Sequence, residues 1–264
     1  MASGSVITKN NMRTVLGVRI DDVSEVAAQE QARNFLRGDK INYIFTPNPE
    51  MLVEAQRDRY FLDTLNTGDL NLCDGFGISL FTGIPKIAGV DFAMTLCGLA
   101  VEAGKTVYLL GTGKPEVVQR AAIHLSVRYP NLKVVGTDSG YAITLAPSET
   151  GAQLRFDANA HEELLNRIIM TAPDVLLVAF GHNKQEKWIA EFAHQIPSLK
   201  VAMGVGGTLS FWAGIAKRAP RWMQRLGLEW LWRLICEPHR VGRILRATVI
   251  FPILYWRKRL TGNV

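Results

Sequence analysis

The sequence predicts an α/β fold: a Rossmann-like, largely parallel sheet with helices on both faces, followed by a basic C-terminal helical appendage. Three observations point there. Short apolar runs bounded by glycine alternate with helical stretches, and strands buried on both faces read as continuous apolar runs. Several of these runs end in polar or glycine-rich turns. Beyond about residue 214 the pattern changes to helical spacing mixed with arginine. With 264 residues, 48% hydrophobic and 20% charged, the chain can bury one full core and carry an appendage.

The elements follow in order. TVLGVRI (14–20) and NYIFTPN (42–48) read as strands around a helical stretch at 24–37. DLNLCDG (69–75) is a third strand running into a turn. KTVYLLG (105–111), KVVGTDSG (133–140), DVLLVAFG (174–181) and KVAMGVGG (200–207) are separated by helical stretches such as 114–129 and 183–195. Alternation of this kind implies parallel strands with helical crossovers, and such sheets bind ligands at the carboxyl ends of their strands. A boundary falls near 210–216. Residues 219–235 place Leu228, Leu231, Trp232 and Ile235 at helical spacing, and Glu237-Pro238 interrupts them. TVIFPILYWRKR (248–259) is apolar, split by Pro252 and flanked by cations.

Composition narrows the function classes. Cys73, Cys97 and Cys236 are odd in number and lack metal-ligand spacing, so reduced thiols in a cytosolic setting are expected. MASGSVITKNN lacks the apolar core of a signal peptide, and no run of about 18 apolar residues offers a membrane span. The net charge of +6 is uneven. From Lys217 to Arg259, eleven Lys and Arg residues face only Glu229 and Glu237, a net +9, which leaves −3 on the first 216 residues. An acidic body with a basic tail points to an anionic partner for the tail.

Five strand ends carry polar or glycine-rich turns. In TPNPE (46–50), Asn48 and Pro49 form a natural helix start, and Thr46 and Asn48 stand where they could also hydrogen-bond a ligand. In CDGFG (73–77), Asp74 is either a turn aspartate or a general base at the ligand edge. LLGTGKPE (109–116), with Gly111, resembles a phosphate loop but lacks the full glycine spacing. In GHNKQEKW (181–188), Gln185 sits in the first turn of a helix, where it could read a sugar or base edge. GVGGTLSFWAG (204–214), with Gly206, permits either close ligand approach or tight packing. The five histidines show no ligand spacing and no D-x-D pair occurs, so a metal clamp on a nucleotide diphosphate is not indicated.

In order along the chain, TPNPE, CDGFG, LLGTGKPE, YPNLKVVGTDSGY, the G-x-x-KQE-x-W of 181–188, GVGGTLSFWAG and RAPRWMQRLGLEWLWRLICEPHRVGR resemble the WecG/TagA/CpsF family of bacterial glycosyltransferases, glycosyltransferase family 26. The resemblance spans roughly 13–245. It implies an inverting transfer of a sugar, of N-acetylmannosamine or glucose type, from a UDP-sugar donor to a polyprenyl-diphosphate-linked saccharide. The work would take place at the cytoplasmic membrane face, in cell-surface polysaccharide synthesis, without a metal or other cofactor. By the same resemblance Asp74 is the base, Thr46 and Asn48 are active-site residues, and Gln185 is a substrate contact. Arg233, Arg240 and Arg243 match the family's appendage arginines. At 183 the family commonly has proline, and this chain has Asn183.

The expected organisation is a nucleotide-sugar-binding catalytic domain at 13–213 and an appendage at 214–264 for the acceptor and an anionic membrane surface. Gly111, Gly206 and Arg218 join the expected substrate contacts. Arginine suits a diphosphate because its planar fork makes paired hydrogen bonds. Self-association is left open, and nucleic acid is not expected as a partner. The competing reading is a non-catalytic nucleotide- or RNA-binding protein with a basic tail. The bulky Phe-Pro-Ile-Leu-Tyr-Trp run favours lipid over bases.

Overall fold

A computed structural model describes residues 11–238 and 241–261. The chain opens with β1 (Asn11–Val15) and β2 (Val18–Asp22), an antiparallel pair. Here the single strand expected at 14–20 is a hairpin. Leu16 (φ 52°) and Gly17 (φ 84°) make the turn, both left-handed as a two-residue hairpin loop requires. Leu-Gly is not a usual signal for that turn, and burial of Leu16 favours it instead. There follow α1 (Glu25–Arg37), β3 (Asn42–Phe45), α2 (Pro49–Ala55), α3 (Arg59–Asn66), β4 (Leu70–Asn71), α4 (Phe76–Thr82) and α5 (Gly89–Glu102). Next come β5 (Thr106–Gly111), α6 (Pro115–Arg128), β6 (Lys133–Asp138), a small hairpin of β7 (Thr144–Ala146) and β8 (Gln153–Arg155), then α7 (Ala158–Thr171). β9 (Val175–Ala179), α8 (Lys184–Phe192), β10 (Val201–Gly204) and α9 (Thr208–Trp212) complete the body.

Local sequence explains several boundaries. Ser24, Asn48, Asp58 and Asp157 each cap a helix, their side-chain oxygens accepting the backbone N–H three residues on. Pro49 and Pro115 sit in first turns, where a missing N–H costs nothing.

β4, β3, β10, β9, β5 and β6 form, in that order, one parallel sheet of six strands. The pleat sends alternate residues to opposite faces. Val107, Leu109, Val175 and Leu177 meet residues of α1, α5, α6 and α9, while Tyr108, Leu110, Leu176 and Val178 meet those of α7 and α8. From β5 the chain moves outward through α6 to β6; from β9 it moves the other way through α8 to β10. That divergence opens a crevice beyond the β5 and β9 carboxyl ends.

The C-terminal segment departs from expectation in two places. The single helix expected at 219–235 is two, α10 (Arg221–Arg225) and α11 (Glu229–Cys236), broken at Gly227. Gly227 has φ 73°, and a Cβ there would strike the Phe76 ring, so the break lets the segment turn against α4. After α12 (Val241–Leu245), a π-helical turn at Arg246–Ile250 leads into α13 (Phe251–Leu260). Pro252 does not split this stretch; it lies in the first turn of α13, and the wider turn before it accommodates the missing N–H.

The appendage is fastened to the body. Phe251 and Tyr255 are buried with Met51, Leu52, Phe61 and Ile78, and the Tyr255 hydroxyl donates to the Phe81 carbonyl at 3.0 Å. Replacing a fully buried phenylalanine by alanine removes transfer energy and leaves a cavity. Phe251→Ala should therefore lower the unfolding free energy by about 3 kcal/mol in denaturant titration, with early proteolysis within 241–261.

Candidate active site

A cavity of about 920 Å³ lies at the carboxyl ends of the strands. Thr46 and Asn48 enter it after β3, Asp74 after β4, Thr112 and Gly113 after β5, Gly181, His182 and Gln185 after β9, and Val205 to Thr208 after β10. Ala88 to Val90 and Tyr141 to Ile143 add to the wall, and the tail closes it with Arg218, Glu229, Trp232, Arg233 and Arg243. Body and appendage thus share one site.

The loop carrying Asp74 is clamped to the loop carrying Asn48. Asp74 N–H donates to the Pro47 carbonyl at 3.0 Å. Gly75 has φ 124°, and a Cβ there would stand 2.8 Å from Pro49 Cδ, so glycine alone allows this approach. Asn48 both lines the cavity and caps α2, its Oδ1 accepting from Met51 N–H at 3.1 Å. Thr46 is buried against Gly89 at the start of α5.

Burial pushes the Asp74 carboxyl up to about 6. The largest charge acting on it is Arg233, which opposes the rise; Glu229 adds to it, and Lys86 and a backbone hydrogen bond from Gly89 oppose it. A carboxylate of this kind is still mostly ionised at pH 7 and more basic than a free aspartate, which suits proton abstraction. Lys86 and Glu229 pair at 3.1 Å, and Arg218 grips Asp91 through both terminal nitrogens at 2.5 and 3.1 Å.

Gln185, Gly206 and Arg243, expected as substrate contacts, line the cavity, each with partners inside the protein. Gln185 is buried: its Nε2 donates to Glu186 Oε1 at 2.7 Å and its Oε1 accepts from Gly206 N–H at 2.9 Å. Gln185 Oε1 and Gly206 N–H are therefore spent on each other, and the amide pins the glycine loop after β10. Gly111 is not a wall residue. A Cβ there would stand 2.7 Å from the Ala179 backbone, so it brings β5 and β9 together while Thr112 and Gly113 face the cavity. Arg243 lines the cavity and donates to Glu50 and His182 at 2.7 and 2.8 Å. Arg240 lies outside the described residues. Among the described residues, no three His, Cys, Asp or Glu side chains converge as a metal site.

Sequence reasoning did not single out Glu50, Glu54, Lys86, Asp91, His182 or Glu186 as partners. Glu50, His182 and Glu186 lie within the strand-end motifs, whereas long-range packing brings Glu54, Lys86 and Asp91 to their partners. Glu186 is buried, its Oε2 has no hydrogen-bond partner among the described residues, and burial raises its carboxyl to about 7, against a hydrogen bond from Gln185.

A family model described as Glycosyl transferase WecG/TagA/CpsF family matches residues 13–264. This chain belongs to that family. It is a glycosyltransferase, and family membership accords with the strand-end cavity and the basic tail beside it. The N-acetylglucosaminyldiphosphoundecaprenol N-acetyl-beta-D-mannosaminyltransferase of Bacillus subtilis (strain 168) is 33% identical over 208 residues, 76% of this chain and 74% of that protein. A protein of the same name from Staphylococcus aureus (strain NCTC 8325 / PS 47) is 31% identical over 245 residues, 90% of this chain and 89% of that protein. Within this glycosyltransferase Asn183 has φ 69°, which a proline ring cannot adopt, and its Nδ2 donates to Glu54 Oε1 at 2.6 Å. The start of α8 is thus held by a side-chain hydrogen bond that proline could not make.

Raised carboxyl values have a defined consequence for stability. A carboxylate with a folded value near 6 or 7 binds its proton more tightly in the folded chain than in the unfolded one. The stability linked to Asp74 and Glu186 is complete below about pH 4 and is lost as pH rises through these values. Asp74→Asn and Glu186→Gln should each raise the melting temperature at pH 8 and change it little at pH 4, measured by calorimetry.

Proposed function

We propose that this glycosyltransferase moves an N-acetylmannosamine-type sugar from a UDP-sugar, with inversion, to a polyprenyl-diphosphate-linked N-acetylglucosamine. The placement of Asp74 carries the reading: a carboxylate made basic by burial, at the sheet's ligand edge, beside an arginine of the tail. The relatives' names supply the chemical class of sugar and acceptor. The beta linkage in those names is what one displacement on an α-linked nucleotide sugar would leave.

Asp74 takes the proton from the acceptor hydroxyl as that oxygen attacks the anomeric carbon. The bond from that carbon to the UDP oxygen breaks, and the leaving diphosphate gathers negative charge. Arg233 and Arg243 are the tail guanidiniums placed on the cavity to meet diphosphate, of UDP or of the lipid carrier. Arg218 stands at the same wall, engaged by Asp91. The proposed reaction uses no protein-held metal, and UDP release with and without chelator tests that.

The acceptor's lipid requires a surface. Ile253, Trp256 and Leu260 are exposed on α13 beside Arg257, Lys258 and Arg259, and Trp222, Leu226 and Trp230 are exposed on the α10–α11 segment. Among the described residues no helix is long and apolar enough to cross a membrane. Exposed tryptophan and leucine beside cations suit an anionic bilayer interface, and we place the protein peripherally at the inner membrane face.

General-base assistance is worth about 10²–10⁴-fold. Asp74→Asn should lose at least about a hundredfold in UDP release from a panel of UDP-sugars with a short-chain prenyl-diphosphate-linked N-acetylglucosamine. Turnover near wild type would remove Asp74 from the role. For the surface, the double variant Trp256→Ala/Ile253→Ser should sediment less with anionic vesicles while keeping turnover on a water-soluble acceptor. Unaltered sedimentation would move the membrane contact elsewhere, and retention of RNA instead of vesicles would favour the binding-protein reading.

A further inference from the structure

Four side chains from three elements form a continuous hydrogen-bonded line beneath the tail. Glu54 Oε2, on α2, accepts from His182 Nε2 at 2.8 Å. The other ring nitrogen, Nδ1, accepts from Arg243 Nη2 at 2.8 Å. Arg243 Nε donates to Glu50 Oε1 at 2.7 Å, and Glu50 lies one helical turn before Glu54 on α2. Two carboxylates of one helix therefore hold an imidazole and a guanidinium between them. Asn183 Nδ2 occupies the second Glu54 oxygen at 2.6 Å, which fixes that carboxylate in turn.

The line uses Nε and Nη2 of Arg243 and leaves Nη1 out of it, while Arg243 lines the cavity. A guanidinium gripped along one edge is pre-oriented, so a ligand at its other edge meets a donor whose freedom is already spent. We propose that Glu50, Glu54 and His182 are positioning residues that hold Arg243 at the cavity with Nη1 offered to a diphosphate, and that this same line fastens the tail over the site. The inference rests on the sugar-transfer reading above and names the diphosphate-binding device within it.

The line demands one protonation state. His182 gives its Nε2 proton to Glu54, so Nδ1 accepts from Arg243 only while the ring is neutral. A second proton would face the guanidinium. Burial and Arg243 oppose that proton, Glu54 and Glu50 favour it, and the carboxylates prevail, holding the ring's pKa above its ordinary value. Among the described residues, Arg246, near Glu50, and buried Glu186 are further charged groups close to the ring. The grip on Arg243 accordingly tightens as pH rises through the His182 titration.

The test uses the full chain and calorimetric titration with two ligands, UDP and a short-chain prenyl-diphosphate-linked N-acetylglucosamine, at pH 6 and pH 8.5. A lost hydrogen bond to a charged group corresponds to roughly tenfold or more in affinity. His182→Phe and Arg243→Ala should each raise the Kd of one diphosphate by about that factor at the higher pH, and the affected arm identifies which diphosphate Arg243 meets. The double variant should lose no more than Arg243→Ala alone, because both act through one group. Glu54→Gln keeps an acceptor and should lose less than Glu54→Leu, and the gap between wild type and His182→Phe should narrow at pH 6. Wild-type affinity for both ligands in His182→Phe, or losses that add in the double variant, would overturn the inference alone. A wild-type chain that binds neither diphosphate would overturn the transfer reading and the inference with it.

Discussion

The structure depends on a charge match across a long sequence separation. Carboxylates gather at the rim of the sheet: Asp74 after β4, Asp91 in α5, Glu50 and Glu54 in α2. Glu50 is buried and Asp74 and Glu54 partly so, and such groups are costly without counter-charges. The tail supplies Arg218, Arg233 and Arg243, separated from them by more than a hundred residues of chain. The net +9 of that tail is therefore not simply a solvated face. Part of it completes the electrostatics of the site, and breaking one partner would leave the other uncompensated.

Around this match the backbone is drawn tight. Gly75 lets the Asp74 loop lie against Pro49, and Gly111 lets β5 end against β9. These approaches set the cavity floor before any side chain contributes. Gln185 extends the same logic. Its amide is committed on both ends, to Glu186 and to Gly206, so it shapes the loop after β10. Mobility of the tail would open a site whose floor stays in place, because the floor belongs to the sheet and the wall to α11 and α12.

Reading the residues in order recovered most of the sheet and the polar strand ends at Thr46, Asn48 and Asp74. Each of those signals is local: apolar runs, an Asn-Pro helix start, an aspartate before glycine. It missed the Leu16–Gly17 turn, where burial outweighs turn preference, and it ran one helix through Gly227, whose left-handed backbone is favoured by the contact with Phe76. The wall residue Glu229 and the partners of the wall, Lys86 paired with Glu229 and Asp91 paired with Arg218, carry no local signal. Ordinary surface lysines, histidines and carboxylates look the same in a linear sequence.

What the sequence by itself determined is the layer order, the strand-end location of the site and the sign of the tail's charge, because periodicity, glycine bounds and charge counts act between near neighbours. Tertiary structure alone decided which arginine meets which carboxylate, that Gln185 serves a loop, and how basic Asp74 becomes. Those outcomes depend on burial and on distances of a few ångströms between residues remote in the chain. Electrostatic energy falls with separation in space and is blind to separation in sequence.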